Sequence, residues 1–135
     1  MIAKTSILII LLSINIFASE YAVVVDKSVQ INKLTQKQIR DIFMMKRHFV
    51  KDIKIVPVNI SSSAKLRDEF EKKVLKINRV KLNRYWIKQH FQGISPPIIQ
   101  SSDNSMRLFI QNVKGAIGYL PISAVNQELR ILYEF

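Results

Sequence analysis

Residues 53–75 read IKIVPVNISSSAKLRDEFEKKVL, and the order of side chains in this stretch decides the fold class. Ile53, Ile55 and Pro57 alternate with Lys54, Val56 and Val58, which predicts a strand over 53–58, ended at Pro57-Val58-Asn59. Ser61, Ser62 and Ser63 follow. A helix then begins, with Leu66, Phe70, Val74 and Ile77 at near-helical spacing. The same strand-then-helix order recurs on both sides. Upstream, the valine-rich run 21–25 reads as a buried strand. Thr35 then caps a helix, with Gln38 three residues on completing a capping box and Ile39, Ile42 and Phe43 as its apolar stripe.

Downstream, a helix over about 80–91 has Leu82, Tyr85, Trp86 and Gln89 on one face and stops at Gly93. Ser95-Pro96-Pro97 breaks the chain, and Ile98-Ile99 makes a very short strand. Ser101-Ser102-Asp103 opens a last helix with Met106, Phe109, Ile110 and Val113 inward. Strands over 116–120, ended by Pro121, and around Ile131, Leu132, Tyr133 and Phe135 close the chain. This alternation predicts an α/β domain with helices covering a mostly parallel sheet. Its expected core is Val23, Val25, Ile39, Ile42, Phe43, Ile55, Leu66, Phe70, Val74, Trp86, Phe109, Ile117 and Tyr119.

The 135 residues allow one domain, and the first 18 are expected to lie outside it. Lys4 supplies a positive start, an apolar run extends over 7–17, and Ala18-Ser19-Glu20 places small residues before a charge. This is the order of a secretory signal peptide over 1–18, with the domain over 19–135. The run is too short for a spanning helix, which needs about 20 apolar residues. The expectation is therefore a periplasmic protein with no stable membrane insertion after cleavage. There is no cysteine, so disulfides, thiolate metal sites and a lipidated cysteine are excluded. The formal charge is +11. Export argues against nucleic acid as the partner of so basic a chain, leaving a solvated lysine-rich surface or a field for anions and anionic envelope polymers.

No catalytic set is visible. His48 and His90 stand without cysteine or a motif around them, and Asp68 and Glu69 lie beside Lys65, Lys72 and Lys73 as helix-surface charges. Neither an enzyme nor a cofactor is indicated. The candidate ligand-binding set is the strand-to-helix turn: Asn59, Ser61, Ser62, Ser63 and Lys65. A helix start directs unpaired N–H groups outward, three hydroxyls and an amide add donors, and Lys65 is a cation set against its own helix dipole, where a bound anion would reverse the penalty. The alternative reading of the serines is plain helix capping. Asn104 and Ser105, opening the later helix, are expected near the same sheet edge.

Several segments resemble the phosphate-binding protein family of ABC transporters in a short single-lobe form. Residues 34–43, from Leu34-Thr35 to Asp41-Ile42-Phe43, are similar to the family's "LT…IF.GK" helix. Residues 53–59 resemble its next strand, and 66–75 its next helix. Tyr85-Trp86 with Phe91-Gln92-Gly93 resembles "YW…FxG", Pro96-Pro97 also matches, and Gly115-Ala116-Ile117-Gly118-Tyr119 resembles the "GAIGY" strand. The resemblance implies one lobe of a periplasmic-binding-protein type 2-like fold, in a family whose full members close two lobes on phosphate. It implies a solute-binding, non-enzymatic role toward phosphate or a related oxyanion.

The family's anion loop reads R-S-D-G-S-G-T. Here Asn59 stands at the Arg, Ser61 at the Asp and Ser63 at the Ser, while Ala64 replaces a Gly and Lys65 the Thr. The missing Arg removes a bidentate phosphate donor. Binding is therefore expected to be weak, with a second lobe supplied by a homodimer or another envelope protein. The alternative is an envelope interaction protein that keeps the fold and has lost the ligand. If the leader is removed as expected, mass spectrometry of envelope material finds a chain starting at Ser19 or Glu20, and recovery of the intact Met1 form from membranes contradicts it.

Overall fold

The computed structural model describes residues 18–135 and Ser13, so the expected signal segment lies almost wholly outside the described residues. The strands are β1 (Tyr21–Asp26), β2 (Phe49–Val50), β3 (Ile53–Lys54), β4 (Val56–Ile60), β5 (Ile98–Gln100), β6 (Ala116–Pro121) and β7 (Leu129–Glu134). The helices are α1 (Gln36–Phe43), α2 (Lys65–Phe70), α3 (Arg79–His90) and α4 (Asp103–Asn112). A π-helical segment, Glu71–Leu75, continues α2, and a 3₁₀ turn, Ile122–Ala124, follows β6.

The five-stranded sheet has the order β5-β4-β6-β1-β7. β4 runs parallel to β5 and β6, whereas β1 is antiparallel to both β6 and β7. Four strands thus point one way, as the alternation predicts, and the first strand is inserted against them between the last two. The pairing of β1 with β7 extends to Phe135, since Phe135 N–H donates to Tyr21 O and Tyr21 N–H to Phe135 O. All these elements and the core lie between Tyr21 and Phe135.

Successive residues of β6 show how the sheet is covered on both faces. Gly118 faces α4, where a methyl group would collide with Met106 and Ile110. Tyr119 faces the other way, against Phe43 of α1 and Phe70 of α2. The capping box on α1 forms as its sequence predicts: Gln38 N–H donates to Thr35 Oγ1 at 3.2 Å and Thr35 N–H to Gln38 Oε1 at 2.9 Å. Eleven of the thirteen expected core residues are buried; Trp86 and Phe109 are only half-buried.

The predicted strand over 53–58 divides in two. Ile53 and Lys54 pair with Phe49 and Val50 in a hairpin whose turn includes Lys51 at φ 55°, and β4 proper extends to Ile60. Pro57 is tolerated inside the sheet because its missing N–H lies on the β5 side, where pairing begins only at Val58. Gly115 turns the chain into β6 with φ +80°, and a Cβ there would strike the Lys54 carbonyl.

Two measurements on denaturant unfolding check this packing. Phe70→Ala removes a fully buried ring stacked on Tyr119 and costs about 3–5 kcal/mol; a loss well below 1 kcal/mol would place the helix face wrongly. Gly115→Ala costs more than about 1 kcal/mol, because strained φ and collision add.

Candidate functional site

The parallel strands β4 and β5 both end at one edge of the sheet, and α2 and α4 start from it. Ser61 N–H donates to Gln100 O at 3.0 Å, so the serine turn is tied to the end of β5. This is the edge at which open α/β sheets hold ligands.

The sequence-predicted residues separate into two groups. Ser62, Ser63 and Lys65 are exposed and Ser61 is half-exposed, on one turn. Asn59 is buried at 6% exposure, and its amide oxygen is taken by the Tyr119 hydroxyl at 2.9 Å. That oxygen is therefore directed into the protein, away from the turn's outer side. The same Tyr119 oxygen accepts from Ile60 N–H at 3.3 Å. Burial pushes the Tyr119 hydroxyl well above the ordinary tyrosine range, so it remains a neutral donor.

The plain-capping reading of the serines does not hold. The N-cap of α2 is Ala64, which has no side-chain cap, while the Ser61 and Ser63 hydroxyls bond each other at 3.0 Å. Asp68, within the first turn, is drawn away by Arg79. Among the described residues, the backbone N–H groups of Ser62, Ser63, Lys65 and Leu66 meet no acceptor. An N-cap of Ser, Thr, Asp or Asn contributes about 1 kcal/mol over alanine, so this helix start forgoes a common stabilisation.

The carbonyl oxygens of the turn are held from behind. Arg67 Nη1 donates to Ile60 O and Arg79 Nη1 to Ser62 O, both at 2.9 Å. Both guanidinium groups are fixed by Glu71, which accepts from Arg67 Nε at 2.6 Å and from Arg79 Nε at 2.8 Å; Arg79 Nη2 also reaches Asp68 at 2.8 Å. The hydrogen bond to Glu71, then the charges of Glu71 and Asp68, raise the Arg79 pKa further. Two carboxylates balance two guanidinium groups, so Lys65 is the cation this turn itself carries.

Sequence reasoning missed this clasp. It placed Asp68 among lysine pairs, and only Glu69 makes such a pair, with Lys73 at 3.0 Å. The available signal was the spacing of Arg67 and Glu71, one helical turn apart; nothing local indicated Arg79. Asn104 and Ser105 do sit at the same edge, but their side chains serve α4. Ser105 shares a capping box with Ser102, and Asn104 accepts from Arg107. His48 and His90 are exposed, and among the described residues no three His, Asp or Glu gather as a metal site. No helix among them is long and apolar enough to cross a membrane.

No family model matches the chain, and no curated protein does. Solved structures do. An ABC-type phosphate transport receptor from Vibrio cholerae superposes with a TM-score of 0.68 at 19% identity, over 84% of this chain and 45% of that one. A putative phosphate ABC transporter substrate-binding protein with bound phosphate, from Clostridium perfringens, gives 0.69 at 22% identity over 84% and 44%. PstS from Borrelia burgdorferi gives 0.63 at 18% identity over 84% and 46%. The chain spans less than half the length of each.

The clasp yields a stability prediction. Glu71→Ala leaves the buried Arg67 without a carboxylate, while the more exposed Arg79 keeps Asp68, and destabilises by about 1–3 kcal/mol, whereas Glu69→Ala leaves the unfolding midpoint nearly unchanged; equal effects would mean that the clasp is solvated. By architecture, this chain has the α/β fold that forms part of phosphate ABC transporter substrate-binding proteins, in a partial, single-lobe form.

Proposed function

We propose that the protein is an exported, periplasmic solute-binding module for phosphate or a related oxyanion, acting by binding and not by catalysis. The single observation that carries this reading is the start of α2. Its free N–H groups share a turn with three serines and Lys65, and among the described residues no side chain caps it. The likeness in fold to phosphate-binding receptors supports the same ligand class. In this reading the N–H groups, the hydroxyls of Ser61, Ser62 and Ser63, and the Lys65 ammonium meet the anion. Asn59 contributes from inside, by holding the strand end through Tyr119.

The proposed leader over 1–18 directs export. The turn is open to solvent, so affinity is weak unless a second wall is supplied by another copy or another envelope protein. Part of the attraction is exposed Coulomb energy and falls as salt rises.

The test is a titration of residues 19–135 with phosphate and sulfate, followed by amide chemical shifts. Saturable shifts confined to 59–66, with affinity several-fold weaker in Ser63→Ala and in Lys65→Ala, are expected. Shifts scattered over the basic surface and indifferent to both substitutions would leave the chain as an envelope interaction protein without a ligand.

A further inference from the structure

Helix α3 is anchored on one side and bare on the other. Leu82 is buried beneath it, the Tyr85 hydroxyl donates to Met44 O at 2.6 Å, and Arg79 is locked in the clasp. Its outward face carries Val80 and Ile87, each 62% exposed, and Phe91 at 85%, the most exposed of the large apolar side chains among the described residues. Phe91 caps the helix with helical dihedrals, so it continues the same wheel. At about 100° per residue, these three side chains fall within roughly 40° of one another, in one row along the helix.

Cations accompany the row on one flank. On the same wheel Arg84 lies about 40°, Lys88 about 80° and Lys81 about 100° from Val80, all to one side. All three are exposed, and the helix sequence RVKLNRYWIKQH contains no acidic residue. An apolar row with a ring at its end, bordered by lysine and arginine, is the chemistry of a helix lying on an anionic lipid surface: the row enters the acyl boundary and the cations meet headgroup phosphates.

We propose that the outer face of α3 is a docking surface for an anionic phospholipid bilayer, on which the protein lies peripherally. Charge decides between occupants. The whole chain is +11, so a second copy on this face would bring like charge with it, whereas an anionic bilayer complements both the local flank and the total. The site is separate from the serine turn and does not rest on the phosphate reading.

Co-sedimentation of residues 19–135 with vesicles tests it, since that segment carries the whole sheet and core. Binding is expected to vesicles of phosphatidylglycerol and phosphatidylcholine, and to fall at least about tenfold on phosphatidylcholine alone. The variant Ile87→Ser/Phe91→Ser, altered only at exposed positions, binds the mixed vesicles about tenfold less or weaker still. Arg84→Gln/Lys88→Gln loses a similar factor, while the exposed pair Lys51→Gln/Lys54→Gln and Lys65→Ala lose much less. No binding to the mixed vesicles overturns the proposal. So does equal loss in both charge pairs with none in the serine variant, which would mark diffuse attraction by the basic surface. Concentration-dependent dimerisation abolished by Ile87→Ser/Phe91→Ser would assign the face to a second copy instead.

Discussion

A hydroxyl inside an apolar core must find partners, and satisfying that of Tyr119 fixes much of this structure. The ring lies parallel to Phe70, with centroids 3.9 Å apart, and meets Phe43 edge-on at 5.8 Å. It therefore locks α1 and α2 onto the sheet. Its oxygen serves Ile60 N–H and Asn59 Oδ1, the last two residues of β4. Leaving such groups unpaired costs about 1–3 kcal/mol each, so the end of β4 has one well-determined position. The serine turn starts from that position.

The Arg67–Glu71–Arg79 clasp completes the arrangement from the helix side. Its gain in net stability is small, because desolvation of the charges offsets their attraction. Its geometric effect is larger. By taking the carbonyl oxygens of Ile60 and Ser62, the two guanidinium groups withdraw acceptors from the turn. The turn keeps the N–H groups of Ser62, Ser63, Lys65 and Leu66, its serine hydroxyls and the Lys65 ammonium as available donors. Asn59 is turned inward, and the nearby arginines support the loop.

Much of this architecture was legible locally. The Thr35–Gln38 capping box, the stripe Ile39, Ile42 and Phe43, and the valine run of β1 are short-range signals that tertiary context did not override. The hairpin of β2 and β3 was not legible, because two-residue strands leave no period to read. Nor was the π segment: a stripe stepping by four from Leu66 through Phe70 to Val74 fits an ordinary helix, and the altered phase shows in the hydrogen bonding, as where Lys76 N–H donates to Glu71 O, five residues back. Asn59 looked like a ligand by its place before the serines; its burial depends on Tyr119, sixty residues away. Arg79 likewise joins the turn from a separate helix. Trp86 and Phe109 stand on the inward arcs of α3 and α4 and pack against the core, yet stay only half-buried.

The central claim is that the start of α2 is left uncapped so that an oxyanion can cap it. A crystal structure grown with tungstate, a tetrahedral oxyanion visible by its anomalous scattering, tests this most directly. The account predicts a site whose oxygens lie within hydrogen-bond distance of the Ser63 and Lys65 N–H groups, with the Arg67–Glu71–Arg79 clasp unchanged behind it. A map with anomalous density only at scattered surface lysines, and a serine hydroxyl swung over to cap the first turn of α2, would contradict it.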